Sequence, residues 1–214
     1  MDLTTLIMAG GKGSRMKIKC EKPLIKIMNK PMFQWVVEAV KKSKVTSKII
    51  IAVSKNTRKT GKIASKLMLK VIETPGEGYI SDYQYVIKKL NLKDVLILPS
   101  DIPLIGSKTI KEIITYYIKS DKPALSVMVP LTLFKKLGLT PDYIFNINGV
   151  MASPIGINVI NGTMIKKAYI EEEILVLNKA ELAINVNTIH ELKLINEILN
   201  KKYMRQHYYK NCTS

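Results

Sequence analysis

The sequence is poor in cysteine and histidine. It holds two cysteines, Cys20 and Cys212, and two histidines, His190 and His207, among 214 residues. Two distant cysteines do not make the disulfide framework of a small secreted domain, and none of these residues has the spacing of a zinc site. The disulfide-rich and zinc-finger classes are therefore excluded, and a reducing compartment is expected.

Long apolar segments are also missing. No apolar run approaches the length needed to span a bilayer, and residues 1–5 lack the basic stretch and apolar stretch of a signal peptide. We therefore expect a cytoplasmic protein without a membrane span. Hydrophobic residues make up 47% of the chain and charged residues 24%, which is typical of one globular domain without long disorder.

Acidic residues are outnumbered by basic ones. The chain has 34 lysines and arginines and 17 aspartates and glutamates, so the net charge is +17. Nucleic-acid binding, an anionic small-molecule substrate and general lysine enrichment are three explanations of this excess. The lysines are scattered rather than gathered in one stripe, which favours lysine enrichment together with an anionic substrate. No nucleic-acid partner is expected.

Strand and helix patterns alternate over the first two thirds of the chain. Strands are predicted at residues 6–8, 48–53, 70–72, 94–98 and 124–129, and helices at 31–42, 56–69, 81–90 and 110–118. Such alternation indicates βαβ units, and uninterrupted apolar strands indicate a sheet covered on both faces. The fold class is therefore α/β, with a mostly parallel central sheet.

One domain is predicted over residues 1–200, with a nucleotide-binding part at about 1–130 and an acceptor-side part at about 131–187. Shorter strands and turns are expected over 143–186. Thr188 and Glu191 have the spacing of a capping box, which predicts the start of a last helix. Residues 201–214 form a basic tail.

A glycine-rich loop follows the first strand and carries the strongest functional signal. Gly10, Gly11 and Gly13 alternate with Lys12, and Arg15 follows. Glycines allow close approach of the backbone to an anion, successive amides can hold phosphate oxygens, and the two cations add charge. The spacing fits neither a Walker A loop nor the GxGxxG dinucleotide fingerprint, whose third glycine would be Met16.

Two further residues complete the predicted site. Lys22 precedes Pro23, which restricts the backbone beside it. Asp101 lies just after a buried strand, where ligands of open α/β sheets bind, and a carboxylate there suits a hard cation such as Mg²⁺. A helix-capping aspartate is the alternative interpretation of Asp101.

Together these residues resemble the nucleotidyltransferases of the MobA-like NTP transferase superfamily. Within it, residues 8–16 and 21–26 resemble the archaeal-type adenosylcobinamide-phosphate guanylyltransferases, as do residues 78–80, 156–159 and 184–188. The resemblance covers about residues 1–200 and implies a three-layer Rossmann-like fold with helices on both faces. It also implies GTP and adenosylcobinamide phosphate as substrates and Mg²⁺ as cofactor, in cobalamin biosynthesis.

The resemblance further implies roles for individual residues. Arg15, Lys22 and Asp101 would be catalytic, and Asp101 with Asn187 would bind the metal. Several relatives have aspartate where this chain has Asn187, which would leave Asp101 to supply most of the protein's charge at the metal. The implied nucleotide-binding residues are Ala9, Gly10, Gly11, Lys12, Gly13, Ser14, Thr74, Gly78, Gly156 and Asn158.

Other interpretations stay open from the sequence. A sister enzyme, such as a molybdopterin nucleotidyltransferase, would carry the same first motif. A nucleic-acid-binding protein would use the net charge and the basic, aromatic segment 201–210. A carboxylate such as Glu73 could accept hydrogen bonds from guanine, although a surface role is the favoured interpretation of a single loop glutamate. The oligomeric state is not predicted.

Overall fold

Strands and helices alternate as the apolar pattern requires. The computed structural model describes residues 2–16, 18–46 and 48–211, with side chains described as far as Lys201. The strands are β1 Leu3–Met8, β2 Lys26–Ile27, β3 Lys30–Pro31, β4 Lys48–Val53, β5 Lys70–Glu73, β6 Asp94–Pro99, β7 Ala124–Pro130, β8 Phe145–Ile147, β9 Val150–Asn161 and β10 Glu172–Val176. The helices are α1 Met32–Ser43, α2 Arg58–Lys66, α3 Tyr79–Leu90, α4 Ser107–Lys119, α5 Leu131–Lys136, α6 Ala180–Ala183 and α7 Ile189–Asn211.

One sheet forms the centre of the molecule, with strand order β10-β7-β9-β6-β1-β4-β5. β1 pairs in parallel with β4 and β6, and β4 pairs in parallel with β5. β9 runs antiparallel between β6 and β7, and β8 pairs with β9 alone. The sheet is therefore mixed but mostly parallel.

Helices cover both faces of this sheet. α1 and α4 bury apolar stripes that include Phe33, Val36, Ile110 and Ile113 in the larger core cluster. α3 buries Val86 and Ile87 against a second cluster on the opposite face. Because each helix places an apolar stripe on the sheet, the result is the predicted three-layer α/β fold.

The predicted elements of the first 130 residues are confirmed, with shifts at their ends. The helix predicted over 56–69 is shorter, since α2 ends at Lys66 and Met68 takes a φ of 57° that a helix cannot continue. The segment 143–186 contains β9, a 12-residue strand at the centre of the sheet, where shorter strands were expected. The Thr188–Glu191 capping box is present, with Glu191 N donating to Thr188 Oγ1 and Thr188 N donating to Glu191 Oε2.

Several loops meet at one edge of the sheet. β1, β4, β5 and β6 are parallel, so their carboxyl ends lie side by side. Ser100 N, just past β6, donates to Met8 O at the end of β1 over 3.1 Å. Among the described residues, no helix is both long and apolar enough to cross a membrane.

Candidate nucleotide-binding site

A cavity of about 830 Å³ opens at this carboxyl edge. Its walls come from the glycine loop, the β5–α3 loop, the end of β6, the α5–β8 loop, the first half of β9 and the segment before α7. The sequence separates these segments widely, and the parallel strands bring them together.

The glycine loop forms one wall of the cavity through Gly10, Gly11 and Lys12. Ser54 Oγ donates to Gly10 O over 2.7 Å, which ties the loop to the end of β4. Gly13 has a φ of 63°, and a Cβ there would lie 2.9 Å from Cβ of Lys22. Glycine at position 13 therefore lets Lys22 lie directly against the loop.

Lys22 is the centre of the site. Its Nζ donates to Asp101 Oδ2 and, over 2.7 Å, to Asn187 Oδ1. The Lys22 and Asp101 side chains are only 14% and 17% exposed. Three predicted residues from separate parts of the chain thus converge, and Val186 N donates to Asp101 O over 2.9 Å to hold the segments together.

Among the described residues, two buried oxygens in the cavity wall have no hydrogen-bond partner. They are Oδ1 of Asp101 and Oδ1 of Asn185. Buried acceptors are usually satisfied, so unpartnered ones beside a cavity indicate a place for a ligand, a cation or water. Asn185 was missed in the sequence, although the repeated asparagines at 185 and 187 were a signal for it.

Arg15 reaches across the mouth of the cavity. Its guanidinium donates to both carboxylate oxygens of Asp142, with N–O distances of 3.0 to 3.2 Å. Both side chains are more than half exposed. Arg15 therefore lies at the cavity as predicted, but it is paired with a carboxylate from the α5–β8 loop, and sequence spacing gave no sign of this partner.

Tyr79 supports the opposite wall. Its buried hydroxyl donates to the carbonyl oxygen of Gly156, and both residues line the cavity. Burial and the negative charge of Asp101 raise the pKa of Tyr79 well above its ordinary value. The hydroxyl thus stays protonated near neutral pH and acts as a hydrogen-bond donor. Gly156 has a φ of 75°, which favours glycine.

Comparison with known proteins identifies the family. Residues 5–132, more than half of the chain, match the MobA-like NTP transferase domain. The chain belongs to the MobA-like NTP transferase family. Over 209 residues it is also 38% identical to the adenosylcobinamide-phosphate guanylyltransferase of Methanocaldococcus jannaschii, a match that covers 93% of this chain and 98% of the relative. The predicted resemblance to that group is confirmed.

Other relatives share part of the transferase or only its fold. The bifunctional protein GlmU of Thermoanaerobacter pseudethanolicus is 38% identical over 121 residues, which is 55% of this chain and 26% of GlmU. A CMP:2-keto-3-deoxy-manno-octonic acid synthetase solved with CTP has a TM-score of 0.77 at 13% identity, covering 94% of this chain and 100% of the other. The 4-diphosphocytidyl-2C-methyl-D-erythritol synthase of Anaerococcus prevotii has a TM-score of 0.67 at 13% identity, and the match covers 93% of this chain and 98% of the other.

The transferase does not bring every predicted residue to the cavity wall. Thr74 is buried, and its Oγ1 donates to Val53 O over 3.1 Å. Asn158 lies within β9, between Ile97 of β6 and Ser126 of β7. Their assigned contact with nucleotide stays a prediction. Glu73 pairs with Arg58 at 3.0 Å outside the cavity, whereas Glu77 and Gly78 line it.

Proposed function

We propose that this transferase moves GMP from GTP to the phosphate of adenosylcobinamide phosphate, giving adenosylcobinamide-GDP and pyrophosphate, in cobalamin biosynthesis. The observation that carries the proposal is the cluster of Lys22, Asp101 and Asn187 in the cavity of a chain that matches a guanylyltransferase over nearly its whole length. We place the reaction in the cytoplasm, where GTP is available.

The chemistry needs alignment more than proton transfer. An oxygen of the acceptor phosphate attacks the α-phosphorus of GTP, a new P–O bond forms, and the bond to the β-phosphate breaks to release pyrophosphate. A phosphate monoester has a second pKa of about 6, so the nucleophile is already ionised near neutral pH. No general base is required, and the protonated Tyr79 is not asked to act as one.

The chain's own residues can hold the triphosphate in line. The glycine loop forms one wall of the cavity. There the backbone amides of Gly10 and Gly11 and the ammonium of Lys12 suit the β- and γ-phosphates. The ammonium of Lys22 lies deeper and suits the α-phosphate, where negative charge builds as the bond forms. Arg15 joins them when a phosphate replaces Asp142 as its partner.

The oxygens present suit a bound Mg²⁺. Asp101 Oδ1 has no hydrogen-bond partner while Oδ2 accepts from Lys22. The amide oxygen of Asn185 in the same cavity wall is also without a partner, and that of Asn187 accepts from Lys22. In the described part of the chain, no three histidine, cysteine or acidic side chains are grouped so that they could hold a metal ion. Mg²⁺ usually takes one or two carboxylates and completes its shell with water and phosphate oxygens, so a single aspartate fits. Bound there, it would neutralise charge on the triphosphate.

A direct assay tests the function. Purified protein is given adenosylcobinamide phosphate and Mg²⁺ with GTP, ATP, CTP or UTP, and released pyrophosphate and the corrinoid product are measured. GTP is expected to give adenosylcobinamide-GDP, and to raise the melting temperature more than the other nucleotides, since a ligand at 100 times its Kd adds about 2.7 kcal/mol of stability. Lys22→Met is expected to abolish product. Indifference to all four nucleotides would refute the proposal.

A further inference from the structure

The hairpin of β8 and β9 is unusually apolar on its surface. Five large apolar side chains of the hairpin and of the two residues before it are exposed: Tyr143 by 68%, Ile144 by 44%, Phe145 by 49%, Val150 by 45% and Met151 by 45%. Residues 143–165 contain no charged side chain, although 24% of the chain is charged. Exposed apolar side chains gathered in one segment in this way often mark a binding site.

The strand register divides these side chains between two faces. Phe145 pairs with Ala152 and Ile147 with Val150, so these four share one face. Asn146 pairs with Met151 on the other face, which also carries Ser153 two residues further along β9. Ser153 lines the cavity, and so does Pro154 next to it, so β9 carries the cavity wall outward towards Met151.

We name this second face, with the adjoining loop, the ledge: Tyr143, Ile144, Asn146 and Met151. Tyr143 lines the cavity, and Ile144, 44% exposed, follows it in the loop that leads into β8. The ledge therefore begins where the cavity ends. A ligand that fills the cavity and leaves through its mouth on this side meets the ledge next.

We propose that the ledge binds the corrin ring of the acceptor. This inference rests on the proposed function, in which the acceptor's phosphate reaches the α-phosphate of GTP beside Lys22. The nucleotide occupies the same cavity, so the much larger corrinoid must extend out of it. A corrin ring has broad apolar faces and uncharged amide side chains, which suit a surface of methionine, isoleucine, tyrosine and asparagine.

The charge pattern argues against nucleic acid as the occupant. A strand of DNA or RNA is held mainly by lysine and arginine contacts to phosphate. The ledge has none in a chain with 34 such residues, and the residue before it in the chain, Asp142, is negative and paired with Arg15. A second copy of the chain is the remaining alternative occupant, and the experiment separates it.

Matched variants of one hairpin test the ledge. Ile144→Ser and Met151→Ser remove apolar area from the ledge, while Phe145→Ser and Val150→Ser remove it from the opposite face, at nearly equal exposure. Removing one such side chain should raise the acceptor KM roughly tenfold for each ledge variant, with the GTP KM and kcat unchanged. The opposite-face variants should keep the acceptor KM of the wild type.

Binding of adenosylcobinamide, which lacks the phosphate, gives a readout that does not depend on GMP transfer. Equilibrium dialysis followed by corrin absorbance should show the wild type binding it and the two ledge variants binding it about tenfold more weakly. This arm tests the ledge even if no GMP is transferred, so failure of the proposed function and failure of the ledge are distinguishable. Equal affinity in all variants, or no corrinoid binding by the wild type, would overturn the inference. So would ledge variants that change only the sedimentation behaviour, because the ledge would then contact a second copy.

Discussion

The two oxygens of Asp101 have different surroundings, and this difference predicts what a substitution does. Oδ2 accepts from Lys22, and Oδ1 is buried without a partner. Asp101→Asn keeps the shape but removes the charge that would hold Mg²⁺, so we expect turnover to fall roughly 100-fold, the scale of removing one electrostatic interaction from an active site. The rate is measured against Mg²⁺ concentration, with the melting temperature as a check on folding.

The matched control for this prediction is Asp121→Asn. Asp121 is exposed in the loop before β7, and it does not line the cavity. This variant should keep the wild-type rate at every Mg²⁺ concentration. If Asp101→Asn also turns over at the wild-type rate when Mg²⁺ is limiting, the assignment of the metal to Asp101 is wrong.

The Arg15–Asp142 pair predicts a gain of affinity. Nucleotide must displace Asp142 before Arg15 can bind phosphate, and an exposed ion pair contributes about 0.2–1 kcal/mol. Asp142→Ala removes that competition, so the GTP KM should fall by about 1.5- to 5-fold. Glu73→Ala breaks the similarly exposed pair with Arg58 away from the cavity and should leave this KM unchanged. A rise in KM for Asp142→Ala would show instead that Asp142 assists binding.

At the scale of elements, the end of β9 depends on one glycine. A Cβ at Gly162 would lie 2.3 Å from Leu92 O and 2.7 Å from Lys93 O, both backbone atoms. Gly162→Ala forces the backbone to shift, and overpacking of this kind costs about 1–3 kcal/mol. At about 2–4 °C per kcal/mol for a chain of this size, we expect a clear fall in melting temperature.

Gly11→Ala is the control for Gly162→Ala. A Cβ at Gly11 would meet nothing within 4 Å, and its backbone φ is not positive. The melting temperature should therefore stay near that of the wild type, whereas nucleotide binding should weaken because Gly11 lines the cavity. Equal melting temperatures for the two variants would mean that the backbone around Gly162 accommodates a side chain.

Some elements of the fold could be predicted from the sequence, and others could not. α1 and α4 follow from apolar periodicity, and β4 and β6 from uninterrupted apolar runs, since these patterns are local. The antiparallel insertion of β9 between β6 and β7 depends on neighbours distant in sequence. So do the contacts of the site: Lys22 meets Asn187 across 165 positions and Arg15 meets Asp142 across 127. Motifs thus pointed to Lys22, Asp101 and Asn187, whereas Asn185, Asp142 and the contacts between these residues depend on the fold.

At the scale of the whole molecule, the charged residues are missing from one segment beside the cavity. The net charge of +17 favours the approach of a triphosphate to the cavity, while residues 143–165 beside it are free of charge. One end of the site thus suits an anion and the other an uncharged ring. This arrangement accounts for a strongly basic protein without requiring nucleic acid as a partner.

The C-terminal segment gives the test of that interpretation. α7 runs from Ile189 to Asn211, and within the described side chains its deepest contacts with the core are Ile195 and Leu199. Deleting residues 201–214 removes four basic residues, and the described residues that line the cavity end at Glu191. We therefore expect kcat and both KM values within about twofold of the wild type, since a change outside the described site contributes within about 0.5 kcal/mol.

Nucleic-acid binding makes the opposite prediction for this deletion. If the segment binds duplex phosphates, the affinity for DNA should fall, and the slope of its salt dependence should decrease by about 0.9 for each phosphate that the shortened chain no longer binds. A full-length variant with Lys202, Arg205 and Lys210 changed to Gln serves as control, because it removes charge without shortening the chain. Should the deletion abolish GMP transfer at an unchanged melting temperature while this control keeps it, residues 201–214 would reach the acceptor by interactions other than charge. Corrinoid recognition would then extend beyond the ledge to the end of α7.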